Sequence, residues 1–293
     1  MEIYYILLAV SIILSVCKSS IYNAYAKRSE PTALAIFGFN AAVYGVAALI
    51  GLVLFLVGDR ALSLSTVISA FFYAAVVFSL QSLSVAAMRV GSMSLTAICV
   101  MYGMIIPALA GPLFWQEPFG LLQAVGIGMM LLSLWLLNGR SGGDRKGFSK
   151  LWVILAVLCF ILSGMAGVME KIHQSTDGRA EKAAFVLVAC LFMFLFSLVL
   201  TAISRKKGGG VSRFRPIAVL GTLAGAVVGA YSIVNLTLAG GLDSIVYYPV
   251  ANGGAMLLTV IVSALIFREK LDRLKFLGVL IGLCGIVFLS IPA

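Results

Sequence analysis

Along this chain, continuous apolar stretches of about 20 residues alternate with short polar links. Windows of that length predict ten membrane-spanning helices, at roughly 3–26, 33–57, 63–88, 93–115, 119–138, 151–170, 183–203, 216–240, 244–267 and 274–292. A transmembrane β-barrel would instead show segments of about ten residues with alternating polarity. The apolar runs here are unbroken, so the predicted fold class is all-α integral membrane. The spans and their links use up the chain and leave no room for a soluble catalytic domain.

Composition agrees with the pattern. Of 293 residues, 62% are hydrophobic and only 11% charged, with a mean hydropathy of +1.11. A soluble domain carries roughly a quarter of its residues as Asp, Glu, Lys and Arg, so lipid is the expected solvent. The opening Met-Glu-Ile-Tyr-Tyr lacks the basic lead of a cleaved signal peptide. Leu14-Ser15-Val16-Cys17 is shaped like a lipoprotein box, but Val16 fits poorly before the cysteine and Lys18 follows at once. The segment is read as the first span.

The net charge of +10 sits in the links and is one-sided. Links after spans 2, 4, 6 and 8 hold four basic residues, Arg60, Lys171, Arg179 and Lys182. The other five links hold sixteen, from Lys27 and Arg28 to Arg273 and Lys275. Short basic loops stay in the cytoplasm, which predicts a cytoplasmic-membrane protein with both termini outside. That distribution is a topology signal and not a nucleic-acid footprint. The densest stretch, Arg205 to Arg215, could meet anionic headgroups, although a solvated loop is the plainer reading.

The chain also repeats itself. Glu117 ends span 4 and Glu269 ends span 9, 152 residues apart. The same shift pairs Ser92 with Ser244, Met104 with Met256, Leu113 with Leu265, Leu122 with Leu274, Gly126 with Gly278 and Leu131 with Leu283. Earlier, a shift of 148 pairs Ile13-Leu14-Ser15 with Ile161-Leu162-Ser163. The halves are residues 1–140 and 151–293, joined by a linker at 141–150. Five spans per half is an odd number, so the second half enters the membrane inverted, as in many secondary transporters.

Two five-helix halves, each ending helix–Glu–helix with a glycine partway along the last span (Gly126 and Gly278), resemble the EamA-type proteins of the drug/metabolite transporter superfamily. The resemblance covers essentially the whole chain. It implies two inverted repeats around a central cavity, alternating access, and a solute drawn from amino acids, sugars, nucleotide derivatives, amines or drugs. It also implies cytoplasmic termini, opposite to the charge count. The first span is similar to the first helix of small multidrug resistance proteins, but Ser15 and Ser163 stand where those carry a proton-exchanging glutamate. Cation–proton antiport by that route is not expected.

Ionisable and polar groups inside spans normally face a cavity or a partner. Lys18 lies about 6 Å past the middle of span 1 at 1.5 Å per residue. Ser11, Ser15, Lys18, Tyr22 and Tyr25 advance by 4, 3, 4 and 3, which keeps them on one helical face. Lys18 is expected to pair with a substrate carboxylate or phosphate, to snorkel its stem to the headgroups, or to neutralise a protein carboxylate such as Glu170. Asn40 and Tyr44, Tyr73 and Gln81, Tyr102, Tyr231 and Asn235, and Tyr248 and Asn252 complete the candidate lining; the plain alternative for each is helix–helix bonding. Pro107 with Gly111-Pro112, and Pro249 with Gly253-Gly254, predict interrupted helices in spans 4 and 9. Glu170 is the candidate for proton coupling, and His173 is expected in a solvated link.

The five cysteines lie in predicted spans without C-x-x-C or metal-like spacing, so packing is their expected role and no metal or cofactor is expected. The lone histidine leaves no constellation for a membrane enzyme. The expected function is secondary transport of a small polar or amphiphilic metabolite or drug, with export favoured over uptake. A structural or regulatory membrane subunit is the alternative. The expected partners are a small-molecule substrate and the bilayer, with no nucleic acid, and a single copy suffices.

Overall fold

The computed structural model describes residues 2–28, 32–58, 60–90, 93–138, 149–176, 181–206, 214–266 and 273–291. They form eleven helices, α1 (Glu2–Arg28), α2 (Ala33–Val57), α3 (Leu64–Val90), α4 (Met93–Tyr102), α5 (Ile105–Phe114), α6 (Leu121–Asn138), α7 (Lys150–Ser175), α8 (Lys182–Lys206), α9 (Phe214–Gly241), α10 (Ser244–Ile266) and α11 (Arg273–Ser290). Eight helical stretches, α4 and α5 together making one of them, are long and apolar enough to cross a membrane. Leu121–Leu137 and Phe276–Ser290 are shorter apolar helices. Large apolar side chains stand outward along them, Val57 at 83%, Leu121 at 81% and Leu113 at 76% exposure. A contiguous coat of that kind needs lipid rather than water. The chain is a multi-pass helical membrane protein.

Three sequence expectations need correction. Span 4 breaks at Gly103–Met104, not at Pro107 itself. Proline has no N–H to give the carbonyl four residues back, and Gly103 O takes the Ile106 N–H at 3.0 Å instead. Gly103 N and Met104 N also reach only three residues back, to Val100 O and Met101 O, so the break is a tightened turn. Span 9 does not break: α10 runs through Pro249. Pro249 sits in the second turn, where it deprives a single carbonyl, that of Ile245, of its donor. Finally, α7 continues past residue 170 to Ser175, so His173 lies within a helix and is 2% exposed. The loop histidine is a core histidine.

The described chain divides into two compact units. The first holds residues 1–12, 79–171 and 241–293, the second 13–78 and 172–240. Each takes helices from both sequence halves, and α1, α3, α7 and α9 continue from one unit into the other.

In the second unit, α2 and α8 run antiparallel, with Gly51 against the Leu187 backbone and Gly45 against the Phe194 ring. Three glycines of α9 at four-residue spacing, Gly221, Gly225 and Gly229, face Ala42, Val43 with Val46, and Ile50 of α2. Small residues let membrane helices approach closely. Tyr25 stacks on Phe39 at 3.8 Å, and its hydroxyl donates to Ala35 O at 2.8 Å.

In the first unit, α6 and α11 cross where Gly126 and Gly285 meet backbone to backbone. Ser133 donates to Gly278 O at 2.7 Å, and Gln123 donates to Ile291 O at 2.8 Å. On the other side, Gly103 at the span-4 break packs on Ser163 of α7. The Ser163 hydroxyl donates to Val100 O at 2.8 Å, so it serves the broken backbone. Cys159 of this unit and Cys190 of the second are buried as packing residues, whereas Cys284 of this unit and Cys17 of the second are exposed.

Candidate functional site

The seam expected on α1 is present. Ser11 and Tyr25 are buried, and Ser15, Lys18 and Tyr22 are half-buried. The Lys18 ammonium lies over the Tyr231 ring of α9, 4.1 Å from its centroid. A cation held on an aromatic face gains about 0.5–2 kcal/mol depending on desolvation, and its N–H groups stay able to donate to an anion. Among the described residues no carboxylate forms an ion pair with Lys18. Tyr22, one turn along, meets Phe39 edge to face at 5.2 Å. Asn235, one turn beyond Tyr231, is buried, as are Asn40 and Tyr44 on α2. Tyr73 packs against Phe185 at 5.3 Å. Of the residues singled out from the sequence, Lys18 and Tyr231 are thus brought into direct contact from distant helices.

The candidates in the first unit do different work. Tyr102 spends its hydroxyl on Leu131 O at 2.7 Å. Tyr248 donates to Gly167 O of α7. Asn252 is exposed and donates to Tyr248 O within its own helix at 2.9 Å. Gln81 is half-buried on α3. Glu170 is half-buried near the end of α7 and acts electrostatically on Tyr248.

Two polar clusters had no counterpart in the sequence reading. In the first, Gln116 takes a left-handed conformation (φ 53°) after α5 and turns Glu117 back over Gly111. A Cβ at Gly111 would stand 2.0 Å from Glu117 Oε2, so only glycine leaves room for the carboxylate. Glu117 Oε2 accepts the Ser244 N–H at 2.6 Å and Oε1 accepts the Ser244 hydroxyl at 3.1 Å. Ser244 opens α10, so a glutamate from one span caps the N-terminus of another, the end that favours negative charge. The Lys171 ammonium lies 2.6 Å from Oε1 and donates to Leu242 O at 3.0 Å. Both side chains of this ion pair are nearly buried, 11% and 7% exposed. Asp243, beside them, is held above the usual aspartate range by partial burial and by the Glu117 charge, against the pull of Lys171.

In the second cluster, Glu181 accepts the Ser63 N–H at 3.0 Å and the Ser63 hydroxyl at 2.7 Å, just before α3. Thr66 also donates to Glu181. Thr66 Oγ1 lies 3.1 Å from His173 Nε2, and Gln174 Nε2 lies 3.0 Å from His173 Nδ1. With the Thr66 hydroxyl turned to Glu181 and the Gln174 amide nitrogen facing Nδ1, the imidazole donates from Nε2 and accepts at Nδ1. His173 is therefore neutral, tilted against Phe185 at 4.2 Å.

The signal for the first cluster was partly visible, because Glu117 and Ser244 both mark the repeat. Their partners under the 152-residue shift, Glu269 and Ser92, lie outside the described residues, as do Asp177, most of the 141–150 linker and many basic link residues. Among the described residues no group of three or more His, Cys, Asp or Glu is placed to hold a metal ion.

No protein-family model and no curated protein matches the chain. Among solved structures, one described only as a crystal structure of a protein aligns over 99% of this chain and 97% of its own, with a TM-score of 0.77 and 13% identity. At that identity the likeness speaks to the fold alone.

Proposed function

We propose that the chain is a secondary transporter of the EamA type, built of ten spans in two inverted five-helix repeats, that moves a small anionic or amphiphilic metabolite across the cytoplasmic membrane by alternating access. The observation that carries this reading is Lys18: a lysine partway along a membrane span, laid over Tyr231 with no protein carboxylate pairing it among the described residues. Intramembrane charge is costly and marks solute or ion pathways. An ammonium kept on an aromatic face rather than in a protein ion pair is left available to a substrate carboxylate or phosphate.

The repeat adds support. Spans 5 and 10 are α6 and α11, which pack on each other. The 152-residue shift exchanges the Gly126–Gly285 contact with the Gly278–Ser133 contact. Reciprocal contacts of that kind are what a two-fold relation produces.

The test is flux. Purified protein in liposomes, screened by counterflow against a panel of carboxylates, phosphates, amines and sugars, should give saturable exchange of at least one anionic solute. Liposomes no more permeable than empty ones across the whole panel would favour a non-transporting membrane subunit.

A further inference from the structure

Resting on the transporter reading, we propose that Glu117 is a proton-operated latch: it ties the ends of α5, α7 and α10 together while ionised, and proton binding to its carboxyl releases them. Three chain segments far apart in sequence meet on this one side chain. It is carried on the turn after α5, it pairs with Lys171 near the end of α7, and it caps Ser244 at the start of α10. Lys171 in turn holds Leu242 O, the carbonyl just before α10.

The hydrogen-bond geometry makes the latch depend on the Glu117 charge. Oε1 faces the Lys171 ammonium and the Ser244 hydroxyl, and Oε2 faces the Ser244 N–H. Every one of these partners is donating. The Lys171 ammonium and the Ser244 N–H can only donate, whereas the Ser244 hydroxyl can turn to accept a carboxyl proton, so a proton on Oε1 competes with Lys171 and replaces charge-assisted bonds by weaker neutral ones. Neutralisation also removes the charge that holds Lys171 and that complements the α10 dipole.

The charged and titratable groups around Glu117 favour release over collapse. They are Lys171 and Glu170 on α7, Tyr248 on α10 and Asp243 on the link before it. Asp243 already feels both Glu117 and Lys171. When Glu117 takes a proton from the aqueous side, Lys171 keeps its charge and has Asp243 and Leu242 O to turn to. The ammonium is then neither stranded nor fixed to α5. Gly111 fits the same design, since a Cβ there would occupy the space the carboxylate takes when the latch is closed.

The latch lies just after α5, near the end of α7 and just before α10, at chain positions that share one membrane face in a ten-span topology. Releasing it frees α5 and α10 at that face, and in an alternating-access protein that step admits or releases solute. Protons on that side would then set how often the face opens.

Spin labels at F119C and M165C, both exposed positions in the first unit, read the latch directly in the full chain in nanodiscs, on a background lacking the native cysteines. As pH is lowered stepwise from about 8 to the most acidic value at which circular dichroism shows the protein still folded, the wild-type distance distribution should shift from one short population towards a longer one. E117Q should show the longer population at every pH, and E117D should keep the pH response. A wild-type distribution unchanged across the range overturns the proposal whatever the variants do, and so does an E117Q distribution that matches wild type at high pH. Counterflow on the same protein separates the two readings. Flux without a pH-dependent distance leaves a transporter with a static cap, and a pH-dependent distance without flux leaves a latch in a protein that does not transport.

Discussion

Glu117 and Glu181 do the same local job in different surroundings. Each comes from a link and caps the start of a helix from another span, α10 at Ser244 and α3 at Ser63. Glu117 adds a nearly buried lysine, whereas the Glu181 bonds come from neutral donors, Ser63 and Thr66, with neutral His173 behind them. A neutral hydroxyl network fixes a helix end with little charge at stake. An ion pair placed on the same kind of cap makes that helix end answer to a proton and to the loss of either partner. The cap is structural in both units, and the Lys171 counter-ion is what makes one of them a candidate switch.

The sharpest way to break the contrast is K171M. It leaves the Glu117 charge in a nearly closed site, and removing one partner of a buried pair costs about 3–5 kcal/mol, readable as a lowered unfolding midpoint. The E117Q/K171M pair should cost clearly less than the sum of the single changes, because the residues are in contact.

Next in size is G111A. Its Cβ would displace the Glu117 carboxylate from Ser244, a loss of about 1–3 kcal/mol for an unmade hydrogen bond to a charged group. G128A is the control. A Cβ there meets nothing within 4 Å, and alanine should be neutral or stabilise α6 by up to about 1 kcal/mol.

A smaller effect belongs to Glu181. The Thr66 hydroxyl, followed by the Ser63 N–H and hydroxyl, outweighs partial burial and holds its carboxyl below the usual glutamate range. A folded value below the unfolded one gives stabilisation that is complete above the unfolded value and fades as pH falls through the folded one. E181Q and T66V should therefore flatten the acid limb of a stability–pH curve while changing little near neutral pH. An acid limb identical to wild type in both variants would contradict the cap. The smallest change is Y102F, which removes one helix–helix hydrogen bond worth about 1 kcal/mol and should leave solute flux intact.

How much of this was legible in the sequence depends on the distance between the residues concerned. The helices were readable because each span is written as one continuous apolar run. The break in span 4 was readable from Pro107 but falls at Gly103–Met104, because proline acts on the carbonyl four residues before it. Pro249 has the same chemistry near a helix start and breaks nothing. The α1 seam was readable from helical spacing, yet its contact with Tyr231 needed the fold, since 213 positions separate the two. The repeat marks Glu117 and Ser244 but not their contact, and the Glu181 cluster leaves no mark at all, because each joins links to distant helices that no periodicity connects. His173 shows the same limit from the other side: Glu170, Lys171, Gln174 and Ser175 make its stretch of sequence largely polar, while the fold brings Thr66 and Phe185 against its ring.

In the proposed transporter, Lys18 supplies the charge that receives the solute. Counterflow of the best anionic solute by wild type, K18R and K18M, at matched amounts of folded protein, tests it most directly. The account predicts flux retained in part by K18R and lost in K18M, with unfolding temperature little changed. Wild-type flux in K18M would contradict it.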